Sequence, residues 1–201
     1  MKESKFKITF NSPVVLSFTA ICVIVMLLHY LTGGFTTNHF FSVYRSSLLS
    51  PFTYIRAFGH IFGHANWSHL IGNMMMILIL GPLLEEKYGS SDLIIIIAVT
   101  ALVTGIAEVI FFPNVQLLGA SGVVFAFILL SSITGVKNGE IPLTFILVTV
   151  LYIGEQVYQG VVVNDSVSNF THIVGGVVGA SMGFLASNDK KGKSGNPTGT
   201  M

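Results

Sequence analysis

The sequence predicts an all-α membrane protein, a bundle of six transmembrane helices, and three observations carry that prediction. The chain of 201 residues is 52% hydrophobic and 9% charged, where soluble domains carry roughly 25% charged residues. Its charges leave four long gaps, at 8–44, 57–84, 109–136 and 166–188, and two further apolar stretches hold one acid each, Glu108 and Glu155, near an end. A spanning helix needs about 20 mostly apolar residues. Backbone groups inside lipid must pair within their own segment, which favours helices over strands.

The elements follow in order. A first span at 13–33 comes after Lys2, Lys5 and Lys7 and looks at its start like a signal peptide. Its apolar run is too long for one and no small-x-small site follows, so it is expected to be retained. Cys22, the single cysteine, lies inside it and cannot form an internal disulfide. The connection at 34–66 is rich in Phe and Tyr with only Arg45 and Arg56 charged. Aromatic rings favour the headgroup level, so this segment is expected in the membrane interface. Spans two to six are placed at 67–84, 92–112, 119–136, 141–158 and 169–187. Short turns after the second and fourth spans make their neighbours antiparallel. The domain reading is a cytoplasmic segment at 1–12, one six-helix domain at 13–187, and a polar tail at 188–201 expected to be disordered.

Orientation follows from the basic residues. Eight lysines fall on the side of the termini, and Arg45 and Arg56 on the other. The bias places both termini in the cytoplasm of a multi-pass cell-membrane protein. A net charge of +1 with no large basic patch gives no footprint for nucleic acid. The partners expected are the lipid bilayer and transmembrane proteins; oligomeric state has no signature in the sequence.

Polar groups within spans are costly and mark function. Ser121 lies in the run Gly119-Ala120-Ser121-Gly122 at the outer end of span four, His172 at the outer end of span six, and His69 and Asn73 at that of span two. These three spans run in the same direction, so counting 1.5 Å per residue puts all four side chains within roughly 10 Å of one boundary. A scatter of tolerated polar residues would not share a depth. Ser121 alone is commonly a hydroxyl bonded back to its own helix; beside an imidazole it forms a nucleophile and general base. No acid is obvious as a third member, since Asp165 and Glu155 lie elsewhere, so a dyad is expected. His69 and Asn73 share a helix face at i, i+4, and with the Ser121 amide they offer donors for an oxyanion; the rival reading is an interhelical clamp. Gly175 and Gly179 on span six, and Gly119, Gly122 and Ala126 on span four, form small-residue faces that let two helices pack closely. His60 and His64 resemble half a metal site but lack the Glu of H-E-x-x-H, so neither metal nor cofactor is expected.

These signatures, Gly119-Ala120-Ser121-Gly122, His64 with His69 and Asn73, and His172 before Gly175 and Gly179, closely resemble the rhomboid intramembrane serine proteases over about residues 45–185. The resemblance implies a six-span rhomboid-like fold, Ser121 as nucleophile, His172 as base, and His69 and Asn73 in an oxyanion hole on the extracytoplasmic side. It implies that His64 supports the loop around the site, that His60 holds water nearby, and that Gly105 and Glu108 lie in a polar region. It also implies that Glu85, Gly89 and Ser90 form a structural turn, and that the fifth span and the loop before His172 act as gate and cap. Many relatives have Trp-Arg in the long external loop, where Ile55 precedes Arg56 here. Phe125 keeps the ring of a tyrosine that often stacks on the histidine, without its hydroxyl. The alternatives are a catalytically silent rhomboid-like protein that binds membrane clients, and a transporter or channel. The first should lack Ser or His, and the second should carry ionisable groups towards the cytoplasmic side.

Overall fold

A computed structural model of the chain describes residues 9–112, 114–133, 141–162 and 166–194. The N-terminal lysines, the turn at 134–140 with Lys137, Asp165 in the 163–165 loop, and the last seven residues lie outside the described residues. Eight α-helices are seen: α1 Pro13–Leu31, α2 Phe35–Phe40, α3 Pro51–Gly59, α4 Trp67–Tyr88, α5 Ser90–Phe111, α6 Ser121–Ile133, α7 Leu143–Val162 and α8 Ser166–Ser194. A helix stands at each of the six predicted spans. Among the described residues, three of them, α1, α4 and α5, are long and apolar enough to cross a membrane by themselves, and the apolar helical stretches Ser121–Ile133 and Asn169–Leu185 are shorter.

Several helices run beyond their predicted spans, α7 to Val162 among them, and two of these differences have a clear cause. The turn between α4 and α5 shrinks to Gly89, because Glu85, Glu86 and Lys87 are good helix formers and Gly89, at φ +89°, supplies the reversal. The other is at the end of α8, which runs on to Ser194 through the polar stretch where disorder was expected. Once α8 is nucleated in the bundle, each further residue costs little.

The Glu85 turn closes the base of the bundle. Ser12 makes no side-chain cap for α1. The Glu85 carboxylate accepts instead from the Val14 and Val15 amides at 3.0 and 3.1 Å, and from the Ser90 hydroxyl at 2.7 Å. A carboxylate at a helix N-terminus satisfies orphan donors and complements the helix dipole. One side chain therefore ties α4, α5 and α1 together across about seventy residues of sequence.

The most buried helix is α6, with Val123, Ala126, Phe127 and Leu130 all at 1% exposure or less. Its partner is α8. A Cβ on Gly175 would run into the Gly122 carbonyl, and one on Gly179 into the Ala126 carbonyl. The two small-residue faces meet backbone to backbone, the arrangement that gives close packing when lipid supplies no hydrophobic drive.

The segment at 34–66 folds into α2, α3 and a 3₁₀ turn at His60–Phe62. Leu48, Leu49, Phe52, Tyr54, Ile55 and Phe58 are exposed, consistent with a segment bathed by the interface. Arg56 anchors it from within. It is buried, its guanidinium donates to Ser46 Oγ at 2.6 Å, and it lies 4.4 Å above the Tyr44 ring. Ile55, the residue before it, is exposed.

Candidate active site

The turn before α6 is the centre of the site. Gly119 sits at φ +127°, a region that favours glycine. A Cβ there would lie 2.7 and 2.8 Å from His69 Cε1 and Nε2, and 3.7 Å from Asn73 Nδ2. The bare backbone therefore lies directly under the His69 imidazole and the Asn73 amide, two residues before Ser121. Gly119 N donates to the His60 carbonyl at 2.9 Å, and Val43 and Leu117 exchange backbone hydrogen bonds at 2.8 and 2.9 Å. Two backbone links thus fasten the Ser121 turn to the interfacial segment.

Ser121 is the first residue of α6 and is half-buried. The N–H groups of a helix's first turn have no intrahelical partner and face whatever stands before it. His172 comes from α8. Its ring is packed on Phe125, centroids 4.3 Å apart at 41°. Phe125 follows Ser121 by one turn. With Gly175 against Gly122, Ser121 stands one residue and His172 three residues before that contact, about 3 Å apart along the two helices at 1.5 Å per residue. His69 is placed by the start of α4, where Asn66 caps the helix by accepting from the His69 amide at 2.8 Å. Asn73, one turn further, is buried, and its Nδ2 has no partner. A buried amide donor without a partner is costly. Here it stands next to the Gly119 backbone.

Around this core, His60 and His64 are both 1% exposed. Nδ1 of His60 donates to the Ala57 carbonyl at 3.1 Å and Nδ1 of His64 to the Phe62 carbonyl at 3.2 Å. Carbonyls only accept, so both rings carry their proton on Nδ1. Burial pushes each down to about 4, with neighbouring His69 acting in the same direction on His64. Both are neutral near pH 7. The His64 ring stands edge to face with His69, centroids 5.1 Å apart. His60 Nε2 stands 3.3 Å from Thr104 Oγ1.

The Gly119 turn, His69, Asn73 and His64 thus stand together with His60 immediately behind, and the Phe125–His172 ring pair stands one turn along α6 from Ser121, with Gly122 in the α6–α8 contact. Gly175 and Gly179 lie in the interface that carries His172. Thr104 was not anticipated: it meets His60 and its methyl would touch a Cβ on Gly122 at 3.2 Å. The signal was present as Thr100, Thr104 and Glu108 at i, i+4 spacing on α5, all buried. Glu108 is wholly buried and neither of its carboxylate oxygens has a partner. Among the described residues no three His, Cys, Asp or Glu side chains converge as metal ligands.

Comparison with known proteins shows the family. A profile of the Rhomboid domain matches residues 51–189. The chain is 27% identical over 177 residues to the rhomboid protease GlpG of Serratia proteamaculans, covering 86% of this chain and 62% of that protein. It is 26% identical over the same length to the proteins of that name from Yersinia pestis and Yersinia pseudotuberculosis, with the same coverage. The chain therefore spans about 62% of the length of the curated relatives it matches.

Proposed function

Because the chain belongs to the rhomboid family and is a multi-pass membrane protein, we propose that it is an intramembrane serine protease that hydrolyses a peptide bond in or near transmembrane helices of other membrane proteins. In this reading Ser121 Oγ attacks the scissile carbonyl carbon while His172 takes its proton. The oxyanion is met by Asn73 Nδ2, the His69 imidazole and the Ser121 amide. His172 then returns the proton to the leaving amine, and water, activated by the same imidazole, hydrolyses the acyl-enzyme. No third acid is invoked. A peptide bond within a helix is shielded by its own hydrogen bonds, so the substrate must unwind locally before attack.

The observation that supports this reading is the unpartnered, buried Asn73 amide over the Gly119 backbone, two residues before the hydroxyl at the start of α6. An interhelical clamp would have used that amide in a hydrogen bond. The reading includes six crossings of the membrane, both termini in the cytoplasm, and a site opening to the extracytoplasmic side. The six-helix domain is taken as 13–187, with α7 and the loop before α8 as gate and cap.

The test is cleavage of a model transmembrane substrate in vesicles by the wild type, Ser121→Ala and His172→Ala. Both variants should lose cleavage, and Ser121→Ala should also lose labelling by a fluorophosphonate. Normal cleavage by Ser121→Ala overturns the assignment. Asn73→Ala should keep KM and lower kcat by about 10²–10³; an unchanged kcat would leave Asn73 a structural residue.

A further inference from the structure

A groove of about 490 Å³ runs between α1 and α5, and none of the proposed site residues lines it. Ser17, Phe18 and Ile21 form one wall and Ile94, Ala98 and Ala101 the other. Its outer end is closed by the interfacial segment, where Ile61 and Phe62 meet α1 and the Phe62 ring packs on Phe18 at 5.0 Å. Its other end lies at Pro13, Val14 and Ser90, level with the Glu85 carboxylate.

Three features decide what fits. From Ser90 to Ala101 the α5 wall is about 17 Å long at 1.5 Å per residue. That is close to one leaflet, about half of a hydrocarbon core roughly 30 Å thick. The mouth is rimmed by half-exposed Ile21 and Ile94, which continue into the exposed Ile24 and Ile95 of the lipid-facing surface. An acyl chain of the bilayer thus enters sideways without meeting water. The lining is almost wholly apolar side chains. An extended hydrocarbon chain fills such a groove along its length, whereas a helix about 10 Å across would meet it with one face only.

The geometry points to a built-in lipid site: the groove holds an acyl chain of a phospholipid from the leaflet on the side of the α1 N-terminus, with its headgroup at the level of Ser90. The site rests on the membrane location of the chain and not on the protease reading. It also touches the Ser121 turn indirectly. Ile61 and Phe62 lie between His60, whose carbonyl holds Gly119 N, and His64, so the bound chain braces the segment to which that turn is fastened.

The full-length protein in mild detergent is examined by native mass spectrometry as wild type, Ala98→Trp, Ser17→Phe and Ile95→Trp. The first two substitutions fill the groove from opposite walls; the third adds the same bulk to the neighbouring exposed face. Wild type and Ile95→Trp should retain one phospholipid that Ala98→Trp and Ser17→Phe lose, with helix content by circular dichroism unchanged. Equal retention by all four proteins, or none by wild type, overturns the site. A second measurement needs no variant. A phosphatidylethanolamine with a mid-chain diazirine, photolysed with wild type in vesicles, should label the groove residues Ser17, Phe18, Ala98 and Ala101 several-fold more than the exposed face at Ile24 and Ile95. Even labelling of both overturns the proposal.

Discussion

On one side of the 119–122 turn the neighbours are backbone hydrogen bonds, from the His60 carbonyl to Gly119 N and between Val43 and Leu117. On the other side the backbones meet by close contact: Gly175 and Gly179 of α8 press their bare Cα atoms against the carbonyls of Gly122 and Ala126. The first side belongs to an interfacial segment of short helices and exposed aromatic residues. The second is a dry contact between two helices. The difference lies in which substitutions each can absorb. A backbone hydrogen bond ignores the side chain of the residue that makes it, whereas a contact made by the absence of a side chain fails when one is added.

The largest effect should therefore come from Gly175→Leu. It forces α8, and His172 with it, away from α6. Overpacking of this kind costs about 3 kcal/mol at its upper end, and cleavage should be lost together with thermal stability in detergent. Gly72→Ala is the control, since a Cβ there meets nothing within 4 Å. If Gly175→Leu keeps both activity and melting temperature, the α6–α8 contact is not what sets the site.

Next comes Gly119→Ala, which probes the boundary between the two regions. The added methyl meets His69, and the left-handed φ costs about 1–3 kcal/mol for a non-glycine residue. The variant should melt below the wild type, and kcat should fall more than KM rises, because the clash displaces His69 rather than the substrate. An effect confined to KM would argue against this placement of His69.

The hydrogen-bonded side carries a pH signature instead. His60 and His64 are neutral in the fold with values near 4, against an ordinary 6.5. Between these limits the unfolded chain binds protons that the folded chain does not. Stability is then full above about pH 6.5 and falls as pH drops towards 4, by at most about 1.4 kcal/mol per pH unit for each histidine. Melting temperatures at pH 7.5 and 4.5 measure this, and His60→Gln should make the decline shallower. An identical decline in that variant would place the titration elsewhere.

The smallest effect is expected from Leu117→Ala, which leaves both backbone bonds to Val43 in place and should shift stability by no more than about 0.5 kcal/mol. Leu117→Pro removes the N–H donor and should cost about 1–3 kcal/mol. Equal effects from the two would mean that the side chain, not the ladder bond, fastens this segment.

Much of the architecture was legible because lipid makes it so. Gaps between charges mark where helices must stand, and a helix was found at each of the six. The positions of Ser121, His172, His69 and Asn73 at one end of their helices could be counted from 1.5 Å per residue. The small-residue faces were legible too, since Gly175 and Gly179 fall on one side of α8. Less readable were Thr104, whose polarity is modest and whose importance comes from standing between His60 and Gly122, and the true ends of α4 and α8, where charged residues are equally at home in a helix or outside one.

Periodicity, charge spacing and depth are local properties, so the primary structure alone specified the helices, their direction and the level of the polar side chains. Contacts between distant segments are not local. That Glu85 caps α1, that the His60 carbonyl holds Gly119, and that a groove of about 490 Å³ opens between α1 and α5 are outcomes of packing. They depend on distances between residues that no sequence separation encodes.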